Sequence, residues 1–233
     1  MHMPIEKVGE ALLTDKVFAT IRTSILNGEL PAGYRLRIDD LAERVGTSHM
    51  PVREAIKRLE EAGLAERVPH RGAVVRGLTQ QELLHVYAVR RVLEMEAARQ
   101  GSERITSEDV EKMQVQYDEM RAAIVDKDAI AVLDRDEDFL TVLYQASGNP
   151  VLTSTIKGLW EQCRFYKIVG ARVTLEAEDD SPLWRFQAEL LEAARSRDAN
   201  LAAEITSASL HNATARIRAQ LTTDTSDKAE AAG

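Results

Sequence analysis

The 233-residue sequence predicts a mainly α-helical chain, with an N-terminal winged helix-turn-helix and a C-terminal antiparallel bundle of six or more helices. Three observations carry this. Ala and Leu are abundant while β-branched runs are rare, which favours helix. Apolar residues recur at helical spacing through most of the chain. Only one stretch, just before Gly77-Leu78, changes to two short strand-like runs around a Pro- and Gly-containing loop.

The first helix is expected from about Leu13 to Asn27, where Leu13, Val17, Ile21 and Ile25 form one apolar stripe beside Phe18. Gly28 stops it, and Leu30-Pro31-Ala32-Gly33 reads as a turn. A short helix follows over about Ile38–Val45 and ends at Gly46. Ser48 caps a third helix, with Pro51 in its first turn and Val52, Ala55, Ile56 and Leu59 as its buried stripe, closed by Gly63. Leu64–Val68 and Ala73–Arg76 read as strands joined by Pro69-His70-Arg71-Gly72. Two short helices followed by a hairpin fit a winged DNA-binding unit, and equally a small structural domain.

Beyond Gly77-Leu78 every segment reads as helix. Thr79-Gln80-Gln81-Glu82 is a capping box, and that helix is expected to stop at Gly101. Further helices are expected over about Ser107–Lys127, Asp128–Ser147, Asn149–Arg172, Ser181–Arg197 and Asp198–Leu221. The domains are therefore 1–77 and 78–221, with a polar, disordered tail over 222–233.

Composition narrows the function. No apolar run approaches the roughly 18 residues a membrane helix needs, and the N-terminus has no apolar core of a secretory signal. The single cysteine, Cys163, suits a reducing cytoplasm. The net charge of −8 looks adverse for a nucleic-acid binder, but it is unevenly spread. Residues 1–77 carry twelve Lys/Arg against eleven Asp/Glu, and residues 78–233 eighteen against twenty-seven. No phosphate loop, Gly-x-Ser-x-Gly, His-Glu-x-x-His or dinucleotide fingerprint is present, so an enzyme is not expected.

The stretches Leu30-Pro31-Ala32-Gly33-Tyr34-Arg35-Leu36, Asp40-Leu41-Ala42, Pro51-Val52-Arg53-Glu54-Ala55-Ile56 and Arg71-Gly72-Ala73-Val74-Val75 together resemble the GntR family of transcription regulators. Val89-Arg90-Arg91-Val92-Leu93-Glu94 and Ala146-Ser147-Gly148-Asn149-Pro150 resemble the FCD effector domain of its FadR-like branch. The resemblance implies a homodimer that binds a double-stranded operator, as a repressor, and releases or grips it in response to a small-molecule effector.

It implies, further, that the third helix enters the major groove. His49, Arg53 and Lys57 lie four apart and share the face opposite the buried stripe. Arg53 matches the family's recognition arginine, suited to guanine O6 and N7. Ser48 and Arg35 join the DNA-contacting set, with Arg71 and Gly72 at the wing tip. The run Thr47-Ser48-His49-Met50-Pro51 departs from the family's Val-Ser-Arg-Thr-Pro, and Met50 makes the readout partly apolar. An operator unlike the family's usual one is expected.

Many FCD domains hold a divalent metal through one Asp and three His. The matching positions here are Asp136, Leu140, Gln187 and Ser209, so no tight metal site is expected. Asp136 and His211 are left as the pair open to a weak divalent ion. Asp136 lies within the stripe Val132/Leu133/Phe139/Leu140/Leu143 and needs a partner when buried, for which Arg90 is the candidate. Gln187, Ser209 and Asn212 also sit among apolar stripes. Arg90, Asp136, Gln187, Ser209 and Asn212 are thus the expected effector-binding residues, for an organic or aromatic acid. Two alternatives stay open: a regulator responding to an acyl thioester, and a helical protein-interaction module.

Overall fold

The helical periodicity is realised as nine helices and one two-stranded sheet among the described residues. The computed structural model describes residues 8–177 and 184–230, with side chains described for 12–177 and 184–218. Met1–Gly77 and Leu78–Gly233 form two compact units.

In the first unit, α1 (Val8–Leu26), α2 (Ile38–Val45) and α3 (His49–Glu61) enclose one core. Val17, Ile21 and Ile25 meet Val52, Ala55, Ile56 and Leu59, with Leu41 and Ala42 closing one side. Each fully buried Val, Leu or Ile contributes about 1.5–3 kcal/mol. Arg58 ties α3 to α1: its guanidinium lies 4.2 Å from the Phe18 ring centre and 2.6 Å from Asp15. Leu13, expected on the α1 stripe, is instead 40% exposed.

The wing pairs β1 (Ala65–Val68) with β2 (Gly72–Val75), antiparallel, with Val68 opposite Gly72. β2 starts and ends one residue before the expected Ala73–Arg76, because the ladder closes at that pair. Gly72 has φ +77, a left-handed backbone that a glycine adopts without strain. Residues 33–36, expected only as part of a turn and its exit, lie against β2. Val75 N donates to Tyr34 O (2.8 Å) and Leu36 N to Ala73 O (2.9 Å).

The second unit contains α4 (Gln80–Arg104), α5 (Ser107–Val125), α6 (Ala129–Gln145), α7 (Pro150–Glu176), α8 (Arg185–Ser196) and α9 (Ala199–Glu230). The Thr79/Glu82 capping box is formed in both directions. A second one, Thr106/Asp109, opens α5. Asp128 and Asn149 cap α6 and α7 through their side-chain oxygens. α4 packs against α6, α7 and α9, while α5 packs against α6 and α8.

Four expectations need correction or limits. Gly101 does not end α4, which continues to Arg104. Gly101 is instead a close-approach site, since a Cβ there would lie 2.1 Å from the backbone oxygen of Leu143 on α6. α9 does not end at Leu221 but runs to Glu230, and Thr222–Glu230 has no Gly or Pro to stop it. The Ser181-Pro182 cap lies outside the described residues, as do 231–233 of the expected tail.

Candidate functional site

α3 divides into two faces. Its stripe faces the core, which leaves Arg53, Met50 and Lys57 exposed on the other side. Arg53 makes no ion pair among the described residues, although Glu54 adjoins it. Lys57 reaches Glu61 at 3.9 Å, and His49 Nε2 lies 3.3 Å from Asp39 on α2. Ser48 occupies the N-cap with extended backbone, yet its hydroxyl caps nothing. Its oxygen and the first free N–H groups of α3 are therefore open to an anion. Met50 is 63% exposed, an apolar side chain held in water at the helix start. Arg71 is exposed in the turn of the wing and Gly72 at the start of β2, and Arg35 is exposed on the segment beside β2.

In the second unit, α4, α6, α7, α8 and α9 surround a cavity of about 370 Å³. Arg90, Asp136, Gln187, Ser209 and Asn212 all line it. Tyr87, Leu133, Leu140, Phe186, Leu190 and Ile205 give it apolar walls.

The expected pairing of Arg90 with Asp136 is not what holds either group. Arg90 Nε donates to Glu94 Oε1 at 2.7 Å, one turn along its own helix. Glu94 also accepts from Trp160 Nε1 (2.9 Å) and from the Tyr144 hydroxyl (3.2 Å). Arg90 lies 4.6 Å from the Tyr87 ring centre and donates to Cys163 Sγ at 3.4 Å. Burial opposes its charge, but Glu94 outweighs that and raises its pKa well above the usual arginine value. Cys163 is a core residue, fully buried.

Asp136 is held from two other helices. Gln187 Nε2 donates to its Oδ1 at 2.6 Å, and Lys167 Nζ lies 3.7 Å from its Oδ2. Burial pushes the Asp136 carboxyl up, against the pull of Lys167 and Gln187. Lys167 Nζ also lies 3.0 Å from Glu137, and the two carboxylates raise its pKa despite its burial. Glu94, Lys167 and Tyr166 were not foreseen as site residues. Their signal was present: Glu94 falls four residues after Arg90, and Lys167 falls in register with Trp160, Cys163 and Ala171 on the buried side of α7.

The positions that carry metal ligands elsewhere in the FCD pattern do not fit a transition metal here. Leu140 offers hydrocarbon, and Asp136 already faces an ammonium. Among the described residues no three His, Cys, Asp or Glu converge. The weak Asp136–His211 site is not assembled either, because His211 is exposed and lines a separate groove with Arg91, Met95 and Ala208.

Tyr166 connects the cavity to the start of the bundle. Its hydroxyl accepts from Leu78 N (2.7 Å) and donates to Leu78 O (2.8 Å), so both backbone groups of the first bundle residue are held by one phenol.

A chain that joins a winged helix-turn-helix unit to an all-helical unit with a ligand-sized cavity has the architecture of a DNA-binding transcription regulator. Residues 13–75 match the bacterial regulatory proteins of the gntR family and residues 85–212 match the FCD domain, so the chain belongs to the GntR family of regulators with an FCD effector domain. It is similar to the HTH-type transcriptional regulator McbR of Escherichia coli strain K12, 27% identical over 154 residues, which span 66% of this chain and 70% of that one. The transcriptional repressor RspR of the same organism is 24% identical over 147 residues, 63% of this chain and 64% of that one. The solved structure of E. coli McbR/YncC shares the fold, with a TM-score of 0.76, 24% identity, and coverage of 90% of this chain and 98% of that one. No helix among the described residues is long and apolar enough to cross a membrane.

Proposed function

We propose that this chain is a cytoplasmic, homodimeric repressor whose operator affinity changes when a small organic or aromatic acid enters the bundle cavity. The observation that carries this reading is the convergence of Arg90, Asp136, Gln187, Ser209 and Asn212 on one cavity of about 370 Å³ with apolar walls. That volume suits an acid of one-ring size better than an acyl thioester.

On DNA, α3 lies in the major groove and Arg53 reads a guanine, with Met50 against a thymine methyl. Ser48 and Lys57 contact phosphate, His49 lies beside them, and Arg35, Arg71 and Gly72 follow the adjacent backbone or minor groove. Dimerisation has support in exposed Val89 and Val92 on α4, beside the shallow groove that Met95 and Ala208 line. The ligand acts on the DNA-binding unit through the spacing of two half-site readers, and Tyr166 is the group that feels the cavity and holds Leu78.

The test is a calorimetric titration of the full chain with organic acids, paired with an operator gel shift at fixed salt. Binding of an acid together with a changed operator affinity supports the reading. Indifference of both to every acid refutes it.

A further inference from the structure

The cations around the cavity are not equally satisfied. Arg90 is neutralised by Glu94 at 2.7 Å, and Lys167 by Glu137 at 3.0 Å and Asp136 at 3.7 Å. Arg216 on α9 lines the same cavity from its solvent side, two turns beyond Ser209. Among the described residues no carboxylate lies within ion-pair distance of it. Arg216 keeps much of its surface in solvent, and the cavity wall beside it lowers its pKa by desolvation against the pull of Tyr87.

A second group is also incomplete. Gln187 spends its amide N–H on Asp136, and its Oε1 is buried with no donor among the described residues. A buried acceptor without a donor is costly, so a ligand that brings one gains affinity there. Ser209 and Asn212 line the same cavity with no hydrogen-bond partner among the described residues.

We infer that Arg216 is the anion anchor of the cavity. It takes the carboxylate of a monocarboxylic acid through its two parallel N–H groups, as arginine does with planar anions. The acid's own hydroxyl or N–H fills the vacant acceptor of Gln187. Its hydrocarbon body lies against Leu140, Phe186 and Ile205. Binding needs no metal, because Lys167 supplies the positive charge beside Asp136. The inference rests on the effector-cavity reading and names the ligand class and the residue that selects it.

The experiment is calorimetry on the full chain in EDTA with salicylate, 4-hydroxybenzoate, 4-hydroxyphenylacetate and 3-hydroxybutyrate, each against its primary amide. At least one acid is expected to bind about tenfold or more tightly than its amide. Arg216→Gln is expected to weaken that acid about tenfold or more while the amide's affinity stays within about twofold, and Arg216→Lys to restore part of the loss. Circular dichroism of each variant confirms that it is folded. Equal binding of acid and amide, or equal acid affinity in wild type and Arg216→Gln, overturns the assignment of Arg216 and leaves the cavity reading standing. Binding that EDTA abolishes and zinc restores overturns metal independence. Absence of binding by every acid and amide overturns the inference and the cavity reading together.

Discussion

Trp160 donates its indole N–H to Glu94 across 2.9 Å, joining α7 to α4 inside the bundle. With Arg90 and Tyr144 on the same carboxylate, Glu94 is the centre of the bundle's buried polar network, and it is only 1% exposed. Removing one partner of a buried ion pair strands the other. Glu94→Ala is therefore expected to cost about 3–5 kcal/mol of stability, and Glu94→Gln less, since the amide oxygen still accepts from Trp160. Urea unfolding followed by tryptophan fluorescence measures both. A loss below about 1 kcal/mol for Glu94→Ala would show that the network is not cooperative.

Gly101→Ala has an unusual expected sign. In an ordinary helix interior the change stabilises by roughly 1 kcal/mol. Here the new methyl would meet the Leu143 backbone oxygen at 2.1 Å, and backbone cannot rotate away as a side chain can. α4 and α6 must separate, at a cost of about 1–3 kcal/mol. A thermal midpoint that rises in Gly101→Ala contradicts the close approach.

Arg53→Ala is expected to weaken operator binding by about 1–3 kcal/mol, roughly 5- to 150-fold, and to relax preference at one base pair. Lys57→Ala should weaken all sequences alike and reduce the salt slope by about 1. Gel shifts over a salt series, on the operator and on single-base variants, separate the two effects. Operator affinity unchanged in Arg53→Ala removes α3 as the reader.

Tyr166→Phe removes both hydrogen bonds to Leu78. The expected outcome is a smaller ratio between operator affinities with and without the bound acid. That ratio is the coupling between the sites. A ratio equal to that of the wild type rules out this tyrosine as the link.

Acid should unfold the bundle through Glu137. Burial alone would raise its pKa, but Lys167 at 3.0 Å and Arg164 at 3.1 Å outweigh burial and hold it below 4.5. A carboxylate with a depressed folded pKa stabilises fully above its unfolded value. That stability is lost as pH falls from about 4.5 through the folded value. Asp136 has the opposite sign: its raised pKa makes protonation a relief, so it resists the acid limb. Glu137→Gln is expected to lower stability at pH 7 and flatten the fall below pH 4.5, as read by denaturation at a series of pH values. An unchanged acid limb would discount the ion pairs.

The sequence by itself determined the elements that depend on near neighbours along the chain. The stripe Val52, Ala55, Ile56 and Leu59 sets the inward face of α3 and so the outward face of Arg53. The Thr79/Glu82 box starts the bundle, and the polar positions Arg90, Asp136, Gln187, Ser209 and Asn212 could be recognised as misfits among apolar stripes. Helical periodicity tells which way a side chain faces, and that is local information.

Only the tertiary structure decided which groups meet. Asp136 is held by Lys167 and Gln187 rather than Arg90, and Gly101 admits Leu143 rather than ending a helix. The sequence cannot give these because each depends on the rotation and separation of two packed helices, set by the summed volume of the side chains between them. The same packing leaves Arg216 beside the cavity with no carboxylate in ion-pair distance among the described residues, a property of the surroundings that its position in the chain does not record.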